Sequence, residues 1–260
     1  MLTDRDRQRY ARQMMMEGWG EQGQTRLKRS TAFVAGVGGL GSPAATYLAV
    51  AGVGRIVLCD CDSPELSNLN RQFLHSDARL GINKAVSGML TLAERNPDIA
   101  VVALSERIDT SNVGRLTQGV DIILDCMDNF QTRFALNEHA ARADIPLVHA
   151  SVYGMEGRVT FIYPPKTPCL RCLYSEGPPA ETFPVVGAAP GIAGCIQALE
   201  AVKHLVGTGS SLEGRLLVFD GESMTFDHYT IAKAGGCPVC GSAGVARAVG
   251  TADATLSGGV

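Results

Sequence analysis

The 260-residue sequence predicts an α/β domain with a doubly wound, mostly parallel sheet that antiparallel strands extend at one edge. Three observations lead to this prediction. Short apolar segments alternate with helical segments from about residue 30 to 151. A glycine-rich turn directly follows the first apolar segment, which is typical of a Rossmann-like nucleotide fold. After Tyr153 the regular alternation stops, and the later segments are typical of antiparallel strands.

The helices and strands of the first half are predicted from apolar segments that begin and end at turn residues. The first helix after a strand accepts Pro43, because proline is tolerated in a first turn. Asn129 stands where its side chain can cap the helix that follows it. The predicted order is a charged helical segment 3–28, strand 31–37, helix 41–51, strand 55–60, an irregular and functional loop 63–81, helix 84–96, strand 100–104, strand 121–125, helix 129–143 and strand 146–151.

The second half is predicted to extend the same sheet rather than to form an independent domain. Its elements are strands 157–163, 215–219 and 224–231, with a mobile loop 175–190 and a helix 191–206 between the first two. We therefore expect one domain over residues 1–241. It would comprise a nucleotide-binding core at about 30–151 and an antiparallel part at about 152–241, which contains two C-x-x-C pairs. Residues 242–260 are rich in Gly, Ala, Ser and Thr, and we expect a flexible tail there.

Composition argues against several classes of function. Lys and Arg number 23 against 26 Asp and Glu, so the net charge of −3 provides no basic field for nucleic acid. The N-terminus is charged and no apolar run approaches the ~20 residues that span a bilayer, so we expect no membrane association and a cytoplasmic location. Eight cysteines in such a chain favour metal or thiol chemistry over a disulfide framework.

The glycine-rich turn is the first candidate binding element. Gly36, Gly38 and Gly41 satisfy the pattern G-x-G-x-x-G between a predicted strand and a predicted helix. Such glycines let backbone N–H groups approach a phosphate at the helix N-terminus. Asp60 follows at the end of the next strand, where its carboxylate can accept hydrogen bonds from ribose hydroxyls. These residues predict a nucleotide site, although a tight turn without a ligand satisfies the glycine pattern too.

Three charged residues favour ATP over a nicotinamide cofactor. Arg71, Lys84 and Asp128 come where this fold returns the chain to the crevice beside the glycine turn. A carboxylate for Mg²⁺ and two cations for phosphate oxygens suit phosphoryl or nucleotidyl transfer, whereas hydride transfer has no use for them. Singly, Arg71 and Lys84 are also compatible with a solvated surface, and Asp128 with helix capping. An NAD(P)-dependent oxidoreductase therefore stays an alternative.

The cysteines are a second, separate signal. Cys169 and Cys172 form one C-x-x-C pair, and Cys237 and Cys240 form another. Two such pairs can supply four thiolates to Zn²⁺, which predicts a structural metal that joins two distant segments. A thioredoxin-like redox site is less consistent, because neither pair lies in a βαβ context. The remaining cysteines are expected to be packing residues: Cys59, Cys61, Cys126 and Cys195. None of the five histidines has a partner at a recognisable spacing.

Further segments complete an ordered set of motifs. The set is Arg9-Tyr10-Ala11-Arg12-Gln13, the turn 36–43, Asp60 and Asp62, Leu66-Ser67-Asn68-Leu69-Asn70-Arg71-Gln72, Lys84, Asp125-Cys126-Met127-Asp128-Asn129 and the two C-x-x-C pairs. In this order it resembles the adenylyltransferases related to ubiquitin-activating enzymes, the MoeB/ThiF/HesA group, and most closely the molybdopterin-synthase adenylyltransferase type. The resemblance runs from about residue 4 to 241.

The resemblance implies ATP-dependent adenylation of the C-terminal glycine of a small ubiquitin-like sulfur-carrier protein that ends in Gly-Gly, with release of pyrophosphate. It implies that Asp128 holds Mg²⁺ and that Arg71 and Lys84 contact phosphate. It also implies a homodimer in which Arg12 reaches into the partner's site. Asp60 would contact ribose. The other residues implied at the nucleotide site are Gly36, Gly38, Gly39, Gly41, Ser67, Asn68, Leu69, Asn70 and Asn129.

Two departures from the family limit what the resemblance implies. The segment 175–190 contains no cysteine, whereas some relatives use one there for a covalent bond to the carrier. We also find no rhodanese-like sulfurtransferase domain, and expect a separate protein to donate sulfur. A non-catalytic, zinc-joined protein that binds a ubiquitin-like partner without activating it is a further alternative. The sequence names neither the carrier nor the pathway.

Overall fold

The computed structural model describes residues 1–177 and 183–241 of the chain. In this part, eight strands form one sheet: β1 (Thr31–Ala35), β2 (Arg55–Cys59), β3 (Ala100–Leu104), β4 (Ile122–Asp125), β5 (Leu147–Tyr153), β6 (Glu156–Ile162), β7 (Arg215–Asp220) and β8 (Thr225–Thr230). The helices are α1 (Asp4–Arg9), α2 (Ala11–Met14), α3 (Gly20–Arg29), α4 (Gly41–Ala51), α5 (Lys84–Arg95), α6 (Val113–Leu116), α7 (Phe130–Ala143), α8 (Leu170–Leu173) and α9 (Ala188–Val206). Two short 3₁₀ turns, Leu66–Asn68 and Asp77–Arg79, lie in the irregular loop before α5.

The strand order confirms the predicted fold class. The order across the sheet is β3-β2-β1-β4-β5-β6-β7-β8. Neighbours from β3 to β5 pair in parallel, and β6, β7 and β8 continue from β5 in antiparallel pairing. The antiparallel strands therefore extend the parallel sheet, as expected. The order reverses between β1 and β4, and doubly wound folds bind ligands at such a position.

The two ends of the sheet differ in burial. Every residue of β1 and of β4 is buried, because helices cover both faces of the parallel part. The near-continuous apolar sequence of these strands follows from that double coverage. By contrast, all six residues of β8 are exposed. Among the described residues, no helix combines the length and apolar character needed to cross a membrane.

Several helix boundaries agree with the sequence prediction because capping chemistry sets them. Helix α4 occupies 41–51 as predicted and ends at Gly52, whose φ of 90° is left-handed. The Asn129 side chain accepts a hydrogen bond from the Thr132 N–H at 2.9 Å and so caps α7. Helix α9 begins three residues before its predicted start and carries Pro190 in its first turn. The four-residue helices α6 and α8 were not predicted, since they are too short to show a helical period.

Two expectations for less regular parts need comment. Cys61 was expected to be a packing residue, but it is exposed because it follows β2 beyond the covered part of the sheet. Of the predicted loop 175–190, residues 178–182 lie outside the described residues, as does the predicted tail 242–260. The described part after the gap is held to the turn between β5 and β6: the Gly154 N–H donates to the Pro184 carbonyl at 2.8 Å, and the Val186 N–H donates to the Gly154 carbonyl at 3.1 Å.

Candidate active site

A cavity of about 1100 Å³ opens at the carboxyl ends of the parallel strands. Residues that follow β1, β2 and β4 line it, so it lies at the reversal of strand order. The predicted site residues found in its lining are Gly36, Gly38, Gly39, Asp60, Arg71, Lys84, Asp128 and Asn129. These residues come from five separate parts of the sequence, and the parallel sheet brings them to one place.

The glycine turn needs glycine for two different reasons. Gly36 has a φ of 88°, and a Cβ there would lie 2.8 Å from the carbonyl oxygen of Cys126. This close approach brings the turn after β1 against the turn after β4. A Cβ on Gly41 would lie 2.0 Å from the Gly36 carbonyl oxygen, so Gly41 permits α4 to start directly on the turn. Gly41 does not itself line the cavity.

Asp60 ties the end of β2 to the glycine turn. Its Oδ2 accepts a hydrogen bond from the Val37 N–H at 2.8 Å, and its Oδ1 accepts one from the Asp62 N–H at 2.9 Å. Burial raises the pKa of the Asp60 carboxyl, and these two backbone donors oppose that rise. Each oxygen keeps a second lone pair. Asp60 can therefore accept a further hydrogen bond from a ligand in the cavity.

Arg71 and Lys84 are two of the cations that line the cavity, and neither forms an ion pair shorter than 3.8 Å with the described residues. Arg71 donates from Nη1 to the Ser67 carbonyl at 3.0 Å and to the Asn70 side chain at 2.9 Å. The nearest carboxylate oxygen to the Lys84 Nζ belongs to Asp62, at 3.8 Å. Lys84 is 9% exposed and opens helix α5. The positive charges of Arg71 and Lys84 are therefore available to an anion.

Asp128 follows β4, which pairs with β1 on the side opposite to β2. Its side chain is exposed and lines the cavity. The capping function that the sequence left open for Asp128 belongs to Asn129. Asp128 has no hydrogen-bond partner in the described part of the chain, so its carboxylate is free to bind a cation.

Some predicted residues are absent from the lining of the cavity. Those outside the lining are Arg12, Gly41, Ser67, Asn68, Leu69 and Asn70. Ser67 and Asn70 act on the site through their hydrogen bonds to Arg71. Arg12 is exposed on α2 and lines no part of the cavity of its own chain.

The structure adds buried polar residues that the sequence did not indicate. The His149 Nδ1 and the Asp125 Oδ2 lie 2.7 Å apart, and both side chains are fully buried. Arg133 donates to the carbonyls of Met127 and Ala150, and Gln197 donates to those of Asp125 and Val148. The available signal was a polar residue within each of two apolar strands, and it becomes informative only once the two strands are known to be neighbours.

A cluster of four thiols forms a second centre. The Sγ atoms of Cys169, Cys172, Cys237 and Cys240 all lie within 4.8 Å of one another. Cys169 and Cys237 are 3.6 Å apart at sulfur, and Cys172 and Cys240 are 3.3 Å apart. Tetrahedral zinc with Zn–S bonds of ~2.3 Å requires sulfur separations of about 3.8 Å, so the donor set fits this metal. Burial by itself raises the pKa of the Cys237 thiol, but hydrogen bonds with the backbone N–H groups of Cys240 and Val239 and with the thiols of Cys169 and Cys172 together lower it to about 7.

Comparison with known proteins places these features in context. The ThiF family model matches residues 10–239. The SAMP-activating enzyme E1 of Haloferax volcanii is 44% identical over 243 residues, which cover 91% of this chain and 90% of that protein. The adenylyltransferase and sulfurtransferase MOCS3 of Drosophila yakuba is 43% identical over 92% of this chain, which spans only 54% of that protein.

Solved structures show the same fold. E. coli MccB with MccA-N7isoASN superposes with a TM-score of 0.82 at 23% identity, over 91% of this chain and 75% of that chain. E. coli MccB with ATP gives a TM-score of 0.79 at 24% identity, over 90% of this chain and 73% of that one. At these identities the likeness concerns the fold alone.

Proposed function

The chain belongs to the ThiF family, as the resemblance in its sequence predicted, and from that premise we propose that it adenylates a small ubiquitin-like sulfur-carrier protein. The substrate group is the carboxylate of the carrier's C-terminal glycine, and the products are an acyl-adenylate and pyrophosphate. One observation carries the proposal. A single cavity brings together the glycine turn, the cations Arg71 and Lys84, and the Asp128 carboxylate, which has no hydrogen-bond partner among the described residues.

The charges of the cavity match the electrostatic problem of this reaction. A carboxylate must attack the α-phosphorus of ATP, so two anions have to approach each other. The new bond joins a carboxylate oxygen to the α-phosphorus, while the bond from that phosphorus to the bridging oxygen breaks and pyrophosphate leaves. Arg71 and Lys84 reduce the repulsion and stabilise the charge on the departing pyrophosphate. No general base is needed, because a C-terminal carboxyl with a pKa of ~3.5 is already ionised at neutral pH.

The remaining functions at the nucleotide site are proposed, and the geometry supports them. Gly36, Gly38 and Gly39 allow backbone N–H groups to approach the phosphates at the N-terminus of α4. The free lone pairs of the Asp60 carboxylate accept hydrogen bonds from the ribose hydroxyls. Asp128 would hold Mg²⁺, and Asn129 borders the same site. When bound, the magnesium ion supplies further charge neutralisation on the phosphates.

The carrier's C-terminal tail is proposed to enter beside the segment 183–187. The ring of Phe183 stacks on Tyr153 at a centroid distance of 6.3 Å, and Phe183 and Val185 both line the cavity. The backbone of this segment is already held to Gly154. An extended tail running along it would find apolar contacts before its terminal glycines reach Asp128.

Zinc, dimerisation and sulfur donation complete the proposal. Zn²⁺ held by the four clustered thiolates is structural, because four cysteine ligands leave no open position for a substrate. Two chains form a homodimer, and Arg12 of each reaches into the site of the other. Sulfur then comes to the adenylate from a separate donor protein. Because segment 175–190 has no cysteine, the carrier is not held as a thioester there.

The test is exchange of labelled pyrophosphate into ATP in the presence of a ubiquitin-like protein that ends in Gly-Gly. Exchange should depend on that carrier and on Mg²⁺, and it should disappear when the carrier lacks its terminal glycine. NAD should neither bind nor compete. No exchange with any Gly-Gly carrier, combined with tight carrier binding, would favour the non-catalytic alternative.

Whether the enzyme forms a covalent bond to the carrier is tested with the same enzyme, carrier and Mg-ATP. Denaturing electrophoresis without reductant should show no conjugate between enzyme and carrier, for the wild type and for Cys195→Ser alike. Cys195 is the thiol to examine because it lies half-buried on α9. A reductant-sensitive conjugate that Cys195→Ser abolishes would contradict the non-covalent mechanism.

A further inference from the structure

Met127, the residue before Asp128, is held at both of its backbone polar groups, which belong to two successive peptide groups. The Met127 N–H donates to the Asp125 Oδ1 at 3.2 Å, and the Met127 carbonyl accepts from the Arg133 Nε at 3.0 Å. Asp128 follows Met127 directly, and its carboxylate has no hydrogen bond of its own within residues 1–177 and 183–241. The direction of the Asp128 side chain therefore depends on how the backbone of Met127 is held.

The carboxylate that holds the Met127 N–H is itself held by His149. The Asp125 Oδ2 accepts from the His149 Nδ1 at 2.7 Å, and the two residues are direct neighbours in the parallel register of β4 and β5. Because the carboxylate can only accept, Nδ1 carries the proton. Nε2 then has a lone pair, and it finds no hydrogen-bond partner among the described residues. Gln197 donates to the Asp125 carbonyl at 2.8 Å and fixes the strand end from the other face.

This buried pair has no evident use in stability. The side chains of His149 and Asp125 are 1% and 0% exposed. Burying a charged carboxylate beside an imidazole is often no better for stability than two packed apolar residues. Neither residue lines the cavity, so neither can touch a substrate there. What distinguishes the pair is that Asp125 also accepts a hydrogen bond from the Met127 N–H.

We propose that His149 is a positioning residue for Asp128, which it orients through Asp125 and the Met127 backbone. The inference rests on the proposed function, in which Asp128 holds the metal. Neutral His149 directs Oδ2 of Asp125 to itself and leaves Oδ1 for the Met127 N–H. Without the His149 N–H donor, the Asp125 side chain is free to rotate. The Met127 backbone then loses one of its two hydrogen bonds, the one from its N–H to Asp125. Groups that orient a metal ligand typically change metal affinity or activity by ~10–100-fold when they are removed.

The surroundings of His149 keep it in the neutral form that this function needs. Burial lowers the pKa of the His149 imidazole. The charged or titratable groups that face it are Asp125 on β4, which favours protonation, Arg133 on α7, which opposes it, and Tyr174 after α8, whose ring lies 6.4 Å from the imidazole. The hydrogen bond to Asp125 therefore does not require an imidazolium.

Three variants separate positioning from mere packing. His149→Leu removes the donor, whereas His149→Asn retains an N–H near the position of Nδ1. His139→Leu is the matched control, because His139 also lies in this half of the chain and pairs with the Thr117 hydroxyl at 2.9 Å, away from the cavity. If His149→Leu does not fold, the double variant Asp125→Asn/His149→Leu replaces it, since it leaves no unpaired carboxylate in the core.

The first measurement is hydrogen–deuterium exchange of the peptide that covers residues 125–129, without nucleotide. His149→Leu should exchange faster in this peptide, and His149→Asn and His139→Leu should match the wild type. The second is the Mg²⁺ concentration at half-maximal pyrophosphate exchange, which His149→Leu should raise by about tenfold or more while the KM for the carrier stays unchanged.

The outcomes distinguish this inference from the proposed function. Unchanged exchange of the 125–129 peptide in the folded Leu variant overturns the positioning function, whatever the enzyme activity. Equal losses in His149→Leu and His139→Leu, without a shift in Mg²⁺ dependence, also overturn it. A wild type without carrier-dependent activity, but with the expected deuterium pattern, counts against the proposed function and leaves the link between His149 and the Asp128 turn in place.

Discussion

The cavity and the cysteine cluster both combine residues that are distant in sequence, but they do so by opposite means. Around the cavity, the carboxyl ends of parallel strands bring the residues together, and hydrogen bonds within the protein hold most of them. In the cluster, two C-x-x-C pairs from separate segments bring four sulfur atoms within 4.8 Å of one another, where a shared metal ion would join them. The fold thus creates the cavity, whereas a metal would be needed to stabilise the cluster.

This difference means that substitutions in the two regions should have different effects. A residue such as Asp128 projects from a strand end that stays folded without it, so its loss should change the chemistry alone. A cysteine of the cluster joins segments 169–172 and 237–240, so its loss should change stability first. None of the four cysteines lines the cavity. Each of the following experiments tests this separation.

The largest effect is expected from Asp128→Asn. Pyrophosphate exchange should fall by about a hundredfold or more, because the variant loses the charged oxygen that we propose holds Mg²⁺. Its melting temperature should match that of the wild type, since the side chain is exposed and makes no hydrogen bond in the described chain. Asp144→Asn is a suitable control, because Asp144 is exposed at the left-handed C-terminus of α7, a conformation that asparagine also tolerates. Near-normal exchange in Asp128→Asn would show that the metal site lies elsewhere.

The next effect is expected from Cys172→Ser. Metal analysis should find one zinc per wild-type chain and much less in the variant, and the melting temperature should fall by about 10 °C, which corresponds to a few kcal/mol for a chain of this size. ATP affinity of the folded fraction should change little. Cys195→Ser removes a thiol outside the cluster and should keep the zinc. A zinc-free wild type, purified without chelator, would refute the structural metal.

The smallest effect is expected from mixing two inactive variants, and it extends the comparison to the N-terminal helices. Arg12→Ala and Asp128→Ala chains should each be inactive. In mixed dimers one of the two sites has an intact Asp128 and an intact Arg12 from the partner subunit, so random mixing should restore about a quarter of the wild-type activity. Verified mixed dimers without any recovery would mean that Arg12 serves the site of its own chain or no site.

Much of the fold and part of the site could be predicted from sequence because they depend on local chemistry. The bounds of α4, the capping of α7 by Asn129 and the pairing of cysteines each depend on residues within a few positions of one another. The cavity residues were found because parallel strands always place their carboxyl ends on the same edge. The exposure of Cys61 was not predicted, since it depends on how far the covering helices reach.

By itself, the sequence determined the alternation of strands and helices, the turn at Gly36 and the chemistry of the charged side chains. Only the tertiary structure decided which polar side chains are buried together. Asp125 and His149 are 24 positions apart, and they meet because β4 and β5 pair in parallel with these two residues in register. Register depends on the packing of whole strands against both helix layers, so no local pattern reveals it. The orientation of Asp128 depends on that long-range pairing, whereas its identity as a carboxylate does not.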